Sequence, residues 1–136
     1  MKVEKIDRVV IRVKDMDKAK RFFTDLLGGE FGEPFINKPA DLISHRHPVG
    51  IDLVAPLSPD GPTATALEKR GEGIAILALE VSNLEEAIAE MKSRGIKLVA
   101  GGPERAEHHP ERRAAIFHPK DTYGVMIELV QHNIKR

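Results

Sequence analysis

The chain repeats itself, and the repeat limits what it can fold into. Arg8–Val13 aligns with Ile76–Val81, and Gly50–Val54 aligns with Met126–Val130. The second half carries its extra residues between Gly101 and Arg112. An internal repeat fixes an architecture before any single element is read. Each half follows the order strand, helix, strand, strand, strand. One half alone would leave a sheet face and its edges open. The expectation is therefore an α+β chain of two tandem βαβββ modules, about 1–57 and 73–136, with a linker at 58–72. Side by side, the modules would form one cupped mixed sheet with helices outside. At 136 residues this is a single domain.

The elements follow from local pattern. Residues 3–13 end in an alternating, β-branched run and read as a strand. Asp15 or Asp17 caps the next helix, which sets Ala19, Phe22, Phe23, Leu26 and Leu27 on one face and stops at Gly28-Gly29. Strand pieces at Phe31–Ile36, Asp41–His45 and Gly50–Val54 complete the first module, with a turn at His47-Pro48. Thr63–Arg70 reads as a short helix ended by Gly71. In the second module Ile74–Val81 is a strand and Ser82-Asn83-Leu84-Glu85 a capping box. The helix behind it buries Leu84, Ala87, Ile88 and Met91 and ends at Gly95. Ile96–Ala100, Arg113–Phe117 and Val125–Val130 are the last strands, the final two joined by a turn at His118-Pro119-Lys120.

Composition narrows the function. Lys and Arg number 21, Asp and Glu 21, so a nucleic-acid or polyanion binder is not expected. Cysteine is absent, which removes thiolate chemistry and disulfides. No apolar run is long enough to cross a bilayer and no signal peptide is evident, so a soluble, cytoplasmic protein is expected.

Strand alternation then sorts the side chains. Val9, Ile11, Val13, Leu77, Leu79, Val81, Ile51, Leu53, Ile127 and Leu129 belong under the helices. The opposite face collects Arg8, Arg12, Asp52, Glu80 and Glu128. The plain account is ion pairing, Arg8 with Asp52 or Glu128 and Arg12 with Glu80, because buried charges are costly alone. The sharper account gives Glu128 or Asp52 a proton-transfer role and Arg8 an oxyanion-steadying one. Arg12, Glu80, His45 and His118 are then candidate substrate contacts.

Several segments resemble a known family. They are Lys5–Val13, Leu57-Ser58-Pro59-Asp60-Gly61-Pro62, Leu67-Glu68-Lys69-Arg70-Gly71-Glu72-Gly73-Ile74, and Phe117-His118-Pro119-Lys120 before Gly124–Leu129. Together with the doubled pattern they resemble the vicinal oxygen chelate superfamily, which includes glyoxalase I, bleomycin-resistance proteins and extradiol dioxygenases. The branch they are most similar to is that of the methylmalonyl-CoA epimerases. The resemblance implies a divalent metal held from the first, fourth, fifth and eighth strands, at positions that here are Arg8, Asp52, Ile76 and Glu128. It also implies two opposed carboxylates that move an α-proton. One matches Glu128; the other falls near Ile36-Asn37, where no carboxylate stands, with Glu33 and Asp41 flanking the gap. Guanidinium donates only, and isoleucine has no donor atom, so no metal or other cofactor is expected.

Three functions follow from these residues. The first is a metal-independent isomerase, epimerase or lyase acting on a small carboxylate or acyl-CoA-type substrate. The second is a non-catalytic small-molecule binder of the bleomycin-resistance kind. The third is a metal enzyme with relocated ligands, His45, Asp52 and Glu128. The partner expected is a small molecule, and family habit implies a homodimer. His45 and His47 otherwise read as an exposed turn pair. His108-His109-Pro110 reads as a solvated loop, and Lys120 with Arg112-Arg113 as possible contacts for a coenzyme A phosphate.

Overall fold

The computed structural model describes residues 1–101 and 112–132. The loop histidines His108 and His109 and the rest of 102–111 lie outside the described residues. Two compact units divide the chain, residues 9–75 in one and residues 1–8 with 76–136 in the other. The first strand, β1 (Val3–Arg12), supplies a segment to each.

In the 9–75 unit the strand order is β2 (Phe35–Asn37), β3 (Leu42–His47), β4 (Ile51–Pro56), then the end of β1. β1 and β4 run parallel, while β2, β3 and β4 pair antiparallel. Helix α1 (Met16–Leu27) begins where the Asp15 carboxylate accepts from the Lys18 amide, which decides between the two expected caps. It ends at Gly28, whose φ of 77° suits a residue without Cβ. Val13, Leu53 and Ala55 form the buried core, with Ile11, Ala19, Phe23, Phe31 and Ile51 packed against it. Only part of the expected apolar helix face turns inward, because Phe22 and Leu26 are exposed. Helix α2 (Pro62–Arg70) ends at Gly71, as its turn chemistry predicts.

The other unit orders β5 (Gly73–Val81), β8 (Ile127–His132), β7 (Arg112–Phe117) and β6 (Leu98–Gly101). β5 and β8 are parallel, and the rest antiparallel. Helix α3 (Leu84–Ser93) is capped by Asn83, not Ser82. The Asn83 side chain accepts from the Glu86 amide, so the expected box is displaced by one residue. The helix buries Leu84, Ala87, Ile88 and Met91 against Val81, Ala115, Phe117 and Leu129. Of these, period and alternation assign the four helix residues, Val81 and Leu129 to the core. Strand β8 extends beyond its expected end, to His132. No helix among the described residues is long and apolar enough to cross a membrane.

Candidate functional site

The unit containing β5 and β8 holds a connected set of charges. Arg8, on β1, and Glu128, on β8, are each 6% exposed. Arg8 Nη2 lies 2.6 Å from Glu128 Oε1. Its other terminal nitrogen, Nη1, donates to Asp7 Oδ2 at 3.1 Å. Asp7 Oδ1 in turn accepts from His132 Nε2 at 2.6 Å, and that nitrogen lies 3.6 Å from Glu80 Oε1. A buried charge persists where opposite charges and hydrogen bonds offset its lost hydration. Arg8 supplies the charge for two carboxylates and an aligned hydrogen bond to Asp7. Burial pushes the Asp7 carboxyl up, but the His132 hydrogen bond and the His132 and Arg8 charges outweigh it and hold it below its usual value.

The 9–75 unit treats its carboxylate differently. Asp52 is 6% exposed on β4, and Arg46 faces it across the ladder from β3. Arg46 Nε donates to Oδ1 at 2.8 Å and Nη2 to Oδ2 at 3.1 Å, a bidentate fork. Arg12 Nε donates to the Gly71 carbonyl at 3.2 Å. Burial, with Arg70 nearby, lowers the Arg12 guanidinium from its usual value, though it remains a cation. Arg12 is thus anchored on a carbonyl within its own unit, not on a carboxylate as expected, and Glu80 lies against His132.

The histidines of β3 correct two expectations. They are buried, not an exposed turn pair. Directly opposed residues of an antiparallel ladder point to the same face. His45 opposes Leu53 and His47 opposes Ile51, whereas Arg46 opposes Asp52. His45 therefore lies on the core face, away from Asp52. His45 Nδ1 bonds the Gly32 carbonyl at 2.9 Å. His47 Nε2 bonds the Gly28 carbonyl at 2.6 Å, and its Nδ1 accepts from the Val49 amide at 3.1 Å. The pair thus ties the segment after α1 to β3. His118 caps a short 3-10 turn at Pro119–Asp121, its Nδ1 accepting from the Lys120 amide.

No carboxylate fills the gap on β2. Ile36 is exposed, and Asn37 Oδ1 accepts from the Ala40 amide. Asp41 is engaged by the Ser58 hydroxyl, and a Cβ at Gly61 would strike its side chain. Asp41 therefore closes the turn between β2 and β3 against the linker. Three residues of the charge set were missed from sequence. Arg46 carried a signal, since strand pairing with the Asp52 segment puts it opposite. Asp7 belongs by alternation to the other face from Arg8, and His132 lay past the expected end of its strand.

Comparison with known proteins fits this architecture. The sequence profile of the glyoxalase/bleomycin resistance protein/dioxygenase superfamily matches residues 7–117. The chain belongs to that superfamily. Bovine mitochondrial methylmalonyl-CoA epimerase is 31% identical over 133 residues, covering 93% of this chain and 74% of that protein. The ethylmalonyl-CoA/methylmalonyl-CoA epimerase of Cereibacter sphaeroides is 28% identical, covering 95% of this chain and 98% of that one. The crystal structure of methylmalonyl-CoA epimerase from Mycobacterium tuberculosis superposes with a TM-score of 0.80 at 35% identity, over 96% of this chain and 89% of that one. The vicinal oxygen chelate fold and an epimerase-like ancestry are therefore established. At two of the four positions where the resemblance implies metal ligands, the side chain offers no donor atom for a metal. Arg8 places a fixed cation there, already paired with Glu128, and Ile76 offers hydrocarbon.

Proposed function

We propose that this protein is an epimerase-like isomerase that moves a proton next to the carbonyl of an acyl-CoA-type substrate, with Glu128 as the proton carrier. The observation that supports this most directly is the buried Arg8–Glu128 pair. Glu128 Oε1 is buried and, among the described residues, meets no aligned hydrogen-bond donor, which leaves a lone pair to accept a proton. Arg8 supplies, from a rigid strand, a fixed positive charge beside the place where enolate charge would grow. The relatives' substrates, ethylmalonyl-CoA and methylmalonyl-CoA, set the substrate class.

The missing second carboxylate shapes the reaction. Inversion at carbon needs a proton removed from one face and returned to the other. With Ile36 and Asn37 at the positions where the resemblance implies a second carboxylate, Glu128 returns the proton to the face it came from. Isomerisation or exchange with retention is then favoured over epimerisation. The test is deuterium uptake in heavy water by a panel of acyl-CoA esters, methylmalonyl-CoA included, read by mass spectrometry and chiral analysis. Uptake should outrun inversion, and Glu128→Gln should abolish it with the fold intact. Uptake no faster in the wild type than in Glu128→Gln would end this reading.

A further inference from the structure

A second chemical centre lies a few bonds from Glu128. We propose that Asp7, Glu80 and His132 form a binding site for a borderline divalent ion such as zinc, cobalt or manganese. The site is separate from the superfamily's metal positions and does not depend on the substrate proposed above.

Geometry is the first argument. The three donor atoms lie within 4.8 Å of one another. They come from three strands, β1, β5 and β8, so the backbone holds them in place. Around an ion with bonds near 2.1 Å, neighbouring donors in a tetrahedral shell sit about 3.4 Å apart. His132 Nε2 is 2.6 Å from Asp7 Oδ1 and 3.6 Å from Glu80 Oε1, which brackets that spacing. The shorter distance is that of a hydrogen-bonded pair, and admitting an ion between Asp7 and His132 asks those two groups to part by several tenths of an ångström. One imidazole and two carboxylates are the donor mix that suits such ions.

Charge is the second argument. Among the described residues the connected set brings three carboxylates, Asp7, Glu80 and Glu128, around Arg8 and His132. The side chains are 8% exposed at Asp7, 15% at Glu80 and 16% at His132, so water screens them poorly. A divalent ion places positive charge directly between the Asp7 and Glu80 carboxylates. The ion also leaves Asp7 Oδ2 with Arg8, so the Arg8–Glu128 pair is undisturbed. Asp7 then links the two centres.

Cobalt(II) titration of chelator-stripped, full-length protein tests this, read by visible absorption and by melting temperature, with zinc as competitor. Stoichiometric binding should appear in the wild type with a rise in melting temperature. His132→Ala and the conservative Glu80→Gln should each weaken it about tenfold or more. Asp52→Asn, at a position matched to the superfamily's ligands, should leave it unchanged. Absence of binding at millimolar cobalt, binding that survives both His132→Ala and Glu80→Gln in folded protein, or binding lost in Asp52→Asn would each overturn the assignment.

Discussion

The two modules occupy matched backbone positions and fill them with opposite chemistry. In the second, β7 turns Ala115 and Phe117 into the core opposite Leu129 and Ile127. In the first, β3 puts His45 and His47 at the equivalent places, opposite Leu53 and Ile51. The other face reverses the pattern. Arg46 clamps Asp52 in the first module, while Ile116 stands opposite Glu128 in the second. Glu128 therefore relies on Arg8, from β1, for its countercharge. The repeated backbone thus fixes where a side chain points, and the residue at that point decides whether the place is core, clamp or chemistry.

The largest effect should come from the apolar side of this contrast. Phe117 is fully buried within a continuous cluster of aliphatic side chains. Phe117→Ala should cost about 4 kcal/mol in urea unfolding. The matched His47→Phe should cost about 2 kcal/mol, because the Gly28 carbonyl and the Val49 amide lose their partner. A stabilising His47→Phe would show that the imidazole is not what fastens the segment after α1.

Next in size is the removal of Arg8. Arg8→Met leaves Glu128 and Asp7 buried without their shared cation, at a cost of about 3 kcal/mol. Adding Glu128→Gln should recover part of that loss; no recovery in a double-mutant cycle would mean that the pair does not couple. Acid sharpens the same point. The folded Asp7 carboxyl is held below its unfolded value, so its stabilisation is present above the ordinary aspartate range and is lost as pH falls through the folded value. Metal-free wild type should therefore lose melting temperature below about pH 4 more steeply than Asp7→Asn.

Much of this was legible from the residues. Alternation alone put Leu79, Val81, Leu129 and the α3 residues in one core, because period and burial coincide there. It also placed Arg8, Asp52 and Glu128 correctly as buried charges. Which charge meets which was not legible, since pairing depends on side-chain reach across strands. Arg12 reaches a carbonyl rather than Glu80 for that reason. The β3 histidines misled because a polar residue next to a Pro reads as solvent-facing, while two backbone carbonyls after α1 give their rings a reason to be buried. The Asp7–Glu80–His132 group escaped notice because His132 counted as lying outside its strand.

The smallest expected effect separates the two arginines. Arg46 makes a better fork than Arg8, with both carboxylate oxygens engaged, yet its side chain is 44% exposed. Water can reach the clamp and screen it, and can rehydrate Asp52 once the clamp is gone. Arg46→Met should therefore cost less than about 1 kcal/mol, against about 3 for Arg8→Met. Geometry alone ranks them the other way. If the two substitutions cost the same in urea unfolding, burial is not what distinguishes the paired carboxylates. If Arg46→Met costs more, Asp52 is the carboxylate whose pairing the fold depends on, and Glu128 loses its claim to be the specially held group.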